Sequence, residues 1–521
     1  MEGVPLRREV ILVQQNAQGQ KTFRVKVFDI ETGKNIVVMN EDEAHEDDIY
    51  LSDRVILSKG GKECRAIVDH SSTLVKRGEI ALFGDTAKEI GSKHGDIIEL
   101  RPAENPLSIE IIKKKMDGLY LREDEMRTVI KELMENKLSE VELASFVTSL
   151  YVRGLSNDET AFLTNAIVDS GSKLELNVHP IVDKHCSGGV AGNRTTMLLV
   201  PIIAASGLYI PKTSARSITS AAGTADTMEV LAPVTFNLDE MRDIVLETHG
   251  CVVWGGAMDL AAADDKLIRI RHSMRLDPRG VLLASILAKK KSVGAEFVII
   301  DIPVGRGAKI EDSRVANDLA RDFLELGAKL SMKTECYITV GNGPIGEGIG
   351  PALECRDVLR ALQGNGPNDL IEKSALLAGG LFELCGKVEK GKGYSTAVGL
   401  LKSGKAFEKM KEIIEAQGGN PKIKIDDIPI GDCRYEVKAD REGRIHHVDN
   451  RAVSKIARAT GAPKHKGAGV LLHVKQGDKV RKGDLLFEII AESEAKLSMA
   501  VDLLETLEAV EMQKVILGKY M

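Results

Sequence analysis

Tryptophan occurs once in the 521 residues, and aromatic side chains together make up 4%. That is too few for the stacking platforms that hold carbohydrate or single-stranded nucleic acid. Long apolar runs are missing as well. Each is broken by glycine, proline or charge, so no segment is expected to span a bilayer. No basic stripe is visible, and a formal net charge of −6 with 28% charged residues speaks against a nucleic-acid binder. The seven cysteines are odd in number, with no C-x-x-C pair and no framework spacing, which fits a reducing cytoplasm. The first residues, MEGVPLRREVILVQQ, carry charges inside their apolar stretch and no small-residue cleavage site, so they are not read as a signal peptide. The expectation is a cytoplasmic protein of about two to four domains, without membrane or nucleic-acid partners.

What is present comes in blocks, and the blocks predict a multi-domain α/β protein. Residues 1–103 read as a β domain: Phe23, Val25 and Val27 alternate with polar neighbours, and KNIVVM and DRVILS repeat the pattern. Residues 104–178, with a later segment around 260–295, read as a helical domain. Met126, Val129, Ile130, Leu133 and Met134 have the spacing of an amphipathic helix. Ser139 with Glu142, and Ser156 with Glu159, form S-x-x-E boxes that start further helices. Over residues 179–425, apolar runs (IVDK, EFVIIDIPVG, ECYITVG) alternate with helical stretches, as in a mostly parallel sheet covered by helices. Residues 426–521 return to short strands around a K-x-G-D turn, a barrel-sandwich-like α+β module whose plain reading is structural.

Three stretches carry candidate chemistry. In IVDKHCSGGVAGNRTT, a strand runs into a Gly-rich turn and then a helix opening near Thr195. Gly188 and Gly189 let backbone amides approach a ligand, the helix N-terminus favours an anion, and Lys184, Ser187, Thr195 and Thr196 add charge and hydroxyls. A strand-to-helix turn that uses glycine only for geometry is equally compatible with this stretch alone. The second, KTSARSITSAAGTADT, is rich in Lys, Arg, Ser and Thr and also joins a strand to a helix. Two such loops at strand ends of one parallel sheet face the same crevice, which favours phosphate binding. In the third, RIRHSMRLDPRGVLLASILAKKK, Asp277 precedes a helix bearing Ser285 and Lys289 to Lys291. Asp277 could protonate a leaving group or simply cap that helix. Lys309, in PVGRGAKI, could reach a second phosphate or lie on the surface. The pair His446 and His447 lacks a third ligand at metal spacing, so no metal site is read there. The acidic run EDEAHEDD reads as a solvated loop, and GNGPIGEGIG as a loop near the cleft.

These three stretches closely resemble the thymidine phosphorylase superfamily, most closely its AMP phosphorylase branch, over about residues 5–515. The runs K-T-S-x-R-x-I-T-S-x-A-G-T-A-D-T-M-E-V-L-A-P and C-V-V-W-G-G-A carry the likeness. It implies substrate binding in a cleft between helical and α/β domains that close on it. It implies that Gly189, Ala215, Arg216, Ser217, Ile218, Thr219, Ser220, Thr224, Ser285 and Lys309 hold AMP, and that Asp277 donates a proton to the departing base. Lys184, Ser187, Thr196, Ser214 and Thr224 would hold the attacking inorganic phosphate. Cys186 stands where a serine is usual, Ala215 replaces a common serine and Ala191 a proline; the K-H-C run is more like type-two thymidine phosphorylases. The implied reaction is AMP + phosphate → adenine + ribose 1,5-bisphosphate, with CMP and UMP as further substrates, phosphate as co-substrate, no metal or other cofactor, and a homodimer or larger homo-oligomer. The rivals are a pyrimidine nucleoside phosphorylase acting on thymidine, a phosphoribosyltransferase, which would need an acidic pyrophosphate motif not seen here, and a nucleotide-sensing homologue without activity.

Overall fold

The computed structural model describes residues 21–218 and 220–513. The N-terminal stretch read against a signal peptide, and Thr219 of the second loop, lie outside the described residues. The described residues divide into two compact units, the first up to residue 153 with 270–276, the second 154–269 with 277 onward.

In the first unit, β1 (Lys21–Phe28), β2 (Ile36–Asn40), β3 (Arg54–Lys59), β4 (Lys62–Ser71), β5 (Glu79–Phe83) and β6 (Ile97–Pro102) close a barrel in the order β1-β5-β2-β4-β3-β6. Period-two alternation sends Phe23, Val25, Val55, Leu57, Ile80 and Leu82 into its core. The acidic run expected to be a loop is instead α1 (Glu41–Glu46), started by the Asn40 side chain accepting from Glu43 N. Glu43 is itself buried and accepts from Gly78 N at 2.8 Å, which a solvated loop would not provide. After α2 (Gly84–Ile90) come α3 (Ser108–Met116), α4 (Glu123–Met134) and α5 (Glu140–Arg153). The apolar stripe of α4 is buried, and Ser139 and Glu142 exchange hydrogen bonds at the start of α5.

The second unit begins with α6 (Asn157–Asp169), started by the reciprocal Ser156–Glu159 box. Its sheet is parallel. β7 (Val182–Cys186) lies beside β10 (Phe297–Val304), which pairs with β11 (Lys333–Val340). A parallel bridge between Ile181 and Tyr209 leads on to β8 (Ile210–Ser214) and β9 (Gly250–Trp254). Between these strands run α7 (Thr195–Ala205), α8 (Thr224–Met228), α9 (Leu238–Thr248), α10 (Ala262–Met274, which crosses into the first unit), α11 (Arg279–Ser292) and α12 (Ser313–Lys329). α7 is apolar on every side and buried throughout, so its N-terminus is fixed by the core rather than by one face. Then follow β12 (Gly348–Ile349), α13 (Pro351–Leu362), α14 (Asn368–Leu384), α15 (Gly393–Lys402) and α16 (Lys405–Ala416). The C-terminal module comprises β13 (Cys433–Lys438), β14 (Gly443–Val448), α17 (Asn450–Ala459), β15 (Gly469–Leu472), β16 (Lys479–Val480), β17 (Leu485–Ala491), α18 (Glu494–Asp502) and β18 (Val510–Met512). Its sheets run β12-β15-β17-β13 and β16-β14-β18, so β12 ties it to the α/β layer.

Candidate active site

The loops after β7, β8 and β10 all leave the C-terminal ends of parallel strands, the edge at which α/β proteins bind ligands. In the first loop Gly188 and Gly189 both sit at φ +89°, closed to most side chains. A Cβ on Gly189 would lie 2.1 Å from Lys309 N, so the loop passes directly against the backbone after β10. Lys184 is 1% exposed; its ammonium donates to Thr195 Oγ1 at 2.9 Å and lies 3.8 Å from Asp301. Thr196 is buried in the first turn of α7. Ser187 donates its N–H to Asp301 O at 2.9 Å, while its Oγ is buried with no hydrogen-bond partner. Burial, reinforced by Asp301, pushes the Cys186 thiol up to about 11, so at neutral pH it is no thiolate nucleophile.

The second loop is folded around Asp226, whose carboxylate accepts from Ser217 N at 2.7 Å and Gly223 N at 2.8 Å. Arg216 is held by Glu229 at 2.8 Å and Asp226 at 3.5 Å, with its guanidinium 5.0 Å from the centre of the Trp254 ring. Ser214 ends β8, Ala215, Ile218 and Ser220 are exposed, and the hydroxyls of Ser217 and Ser220 meet at 3.2 Å. The structure joins the two loops through Arg194. Its guanidinium donates to Thr224 Oγ1 at 3.0 Å and Ala222 O at 3.1 Å, and it pairs with buried Glu354 from α13. Burial pushes the Glu354 carboxyl up to about 7 despite the opposing pull of Arg194.

In the third stretch Pro278 occupies the cap position of α11, and the Asp277 carboxylate pairs with Lys309 at 3.1 Å. Both side chains are about half open to solvent, at 47% and 44%. Ser285 donates to buried Asp264 at 2.7 Å, and Lys289 pairs with the same carboxylate at 2.8 Å. Lys290, next along the helix, turns inward to Asp183 at 2.6 Å, and Lys291 to Asn165 at 3.0 Å. Beside this lies His185, which burial and the surrounding lysines hold well below 6.5 and therefore neutral.

The C-terminal module also reaches the loops. Asn450 accepts from Ala191 N at 3.0 Å and donates to Gly341 O at 3.0 Å; Arg458 donates to Ile218 O at 2.6 Å, and Lys466 pairs with Glu229 at 2.7 Å. Sequence reading treats this module as purely structural and passes over Arg194, Asp226, Glu229 and Glu354. The T-x-D-x-x-E spacing through the second loop is the one local signal that could have marked Asp226 and Glu229. A separate cavity of about 850 Å³ lies along β11 and the start of α14, lined partly by Asn342 to Ile345 and by none of the candidate site residues. The cavity wall carries Asp369, Glu372, Lys373 and Lys475 and lies apart from the three loops. Among the described residues no cluster of His, Cys, Asp and Glu is placed to hold a metal ion, and no helix is long and apolar enough to cross a membrane.

Comparison with known proteins agrees with this architecture. Residues 109–171 match the helical bundle domain of a glycosyl transferase family, residues 178–277 its a/b domain, and residues 444–510 the pyrimidine nucleoside phosphorylase C-terminal domain. The crystal structure of anthranilate phosphoribosyltransferase from Thermus thermophilus shares the fold, with a TM-score of 0.52 at 20% identity over 59% of this chain and 99% of that one. The matched domains place the chain among glycosyl transferases of the helical-bundle and a/b type. At full length the likeness is narrower. The AMP phosphorylase of Pyrococcus furiosus is 45% identical over 95% of this chain and 98% of its own, and that of Thermococcus kodakarensis is 46% identical over 95% and 99%. AMP phosphorylase 1 of Archaeoglobus fulgidus is 43% identical over 96% and 99%. The chain belongs to the AMP phosphorylase family.

Proposed function

We propose that the protein catalyses AMP + phosphate → adenine + ribose 1,5-bisphosphate, with CMP and UMP as further substrates. The observation that carries this reading is the pair of anion loops joined by Arg194: one side has Lys184 and the unpaired Ser187 hydroxyl, the other the braced Arg216. One anion needs only one such loop, whereas a nucleotide and an inorganic phosphate need both. Lys184, Ser187, Thr196, Ser214 and Thr224 hold the attacking phosphate. Gly189, Ala215 to Ser220, Thr224, Ser285 and Lys309 hold AMP. Phosphate forms a bond to the anomeric carbon as the bond to the base breaks, and positioning of two anions in a fixed polar site supplies most of the acceleration. The ion pair of Asp277 with Lys309 opens when the nucleotide phosphate takes the lysine. The freed carboxylate then takes up a proton from solvent and passes it to the leaving base, ending again as a carboxylate. The step needs no metal or organic cofactor; phosphate is the co-substrate.

The seven free cysteines favour a reducing cytoplasm. Exposed Leu107, Val141 and Val152 on the α3 to α5 layer favour a homodimer or larger homo-oligomer. The K-H-C run and the matched pyrimidine nucleoside phosphorylase module keep a second reading, thymidine phosphorolysis. Base release from AMP, CMP, UMP, adenosine and thymidine, each with and without phosphate, tests both. Release from AMP that depends on phosphate and yields a bisphosphorylated sugar is expected; a preference for thymidine would put the second reading in its place.

A further inference from the structure

Behind the first loop lies a set of buried charges of which the reaction uses only Lys184 directly. Four lysines and two aspartates come together from β7, β8, β10, α11 and α14: Lys184, Lys212, Lys290 and Lys373 are 1%, 5%, 2% and 9% exposed, Asp183 and Asp301 are 0%, and Lys373 stands at the edge of the cavity along β11. Each aspartate is shared by two lysines. Asp183 meets Lys290 at 2.6 Å and Lys212 at 3.3 Å, and Asp301 meets Lys373 at 3.0 Å and Lys184 at 3.8 Å. The remaining close partners are neutral: Thr195 Oγ1 on Lys184, Thr213 O on Lys212 and Thr339 Oγ1 on Asp301. The neighbouring ions, Lys289 with Asp264 and Arg194 with Glu354, cancel within their own pairs. With every group charged, four cations against two anions leave an excess of two positive charges; without a bound anion the cluster sheds part of it at Lys212, because an uncompensated buried ion is costly. Lys212 carries the mark of that cost, since burial lowers it to about 7.

We propose that this buried excess is the remote half of the anion site: the two unmatched positive charges are balanced by a phosphate dianion on the loop between β7 and α7, and Lys290 and Lys373 are positioning residues that act on it without touching it. The inference rests on the functional reading above for the place of the dianion. Lys373 has a particular part in it. By holding Asp301 at 3.0 Å it keeps that carboxylate from neutralising Lys184, which stands off at 3.8 Å. An ordinary buried ion pair predicts destabilisation when one partner is removed. Here removal of a lysine brings the cluster nearer to neutrality, because Asp301 keeps Lys184 and Thr339, and Asp183 keeps Lys212.

The test is titration calorimetry of inorganic phosphate, and separately of AMP, together with anion-free thermal unfolding, on the parent, Lys373→Met and Lys290→Gln. Both variants should bind phosphate at least about tenfold more weakly, the scale of a unit charge acting across a protein interior. Their anion-free Tm should be equal to the parent's or higher, and in turnover the phosphate KM should rise with kcat nearly kept. Phosphate affinity within about twofold of the parent, whatever the Tm, would overturn the proposal, since by the relation of affinity to free energy that is no charge effect of this size. If Lys373→Met does not fold, Lys290→Gln decides. A parent that binds neither phosphate nor AMP would sink the functional reading instead, so the two failures are separable.

Discussion

Asp277 and Lys309 pair across 3.1 Å with both side chains half open to solvent. Asp277→Asn keeps size and polarity but cannot donate a proton to the base. AMP binding should stay within a few-fold, while kcat falls by roughly 100- to 10,000-fold, the usual worth of general acid catalysis. Single-turnover rates beside equilibrium binding check this, and a near-parental chemical step would remove Asp277 from the mechanism. A second prediction concerns pH. Burial raises Glu354 to about 7 and Asp357 to about 6, so the stability tied to their protonated forms is full below 4.5 and 3.8 and is lost as pH rises through those raised values. Lys212 has the opposite sign: lowered from 10.5 to about 7 by burial, it contributes stability above 10.5 that is lost as pH falls towards 7. These groups together predict a shallow stability minimum of the anion-free protein near neutral pH, relieved by phosphate. Urea midpoints from pH 5 to about 9.5 would show it; a maximum near pH 7 would contradict the account.

At the scale of the element, the two loops are joined by one side chain. Arg194 lies at the start of α7 and donates to Thr224 and Ala222 beyond β8. Arg194→Lys keeps a charge for Glu354 but loses the two-point grip. It should raise KM for AMP and for phosphate together, each by about tenfold, since a hydrogen bond to a charged group is worth ~1.5–3 kcal/mol. A change in only one KM, or in Tm alone, would show that Arg194 does not link the loops. The strands and loops themselves were legible in sequence because their signals are local. Alternation marks β1, the S-x-x-E boxes mark α5 and α6, and glycines followed by hydroxyls mark the turn before α7. The acidic run reads as a loop in sequence, but one asparagine and a buried glutamate turn it into α1. The charge network was not legible for a different reason. Lys290 and Asp183 are 107 positions apart, and nothing in K-K-K says which lysine of α11 turns inward.

For the whole molecule, the architecture alone leaves the substrate open, because one fold carries many sites. The phosphoribosyltransferase that shares the fold at 20% identity illustrates this. What narrows the reading is the second loop, proposed to hold the nucleotide phosphate, with Arg216 fixed by Glu229 and Trp254 and Glu229 braced from the C-terminal module by Lys466. The most direct measurement is therefore the ratio of kcat/KM for AMP to that for adenosine at saturating phosphate. The account predicts at least about tenfold in favour of AMP, from the loss of a charged contact worth ~1.5–3 kcal/mol. Equal values for the two substrates would contradict it, because the second loop would then have no phosphate to hold.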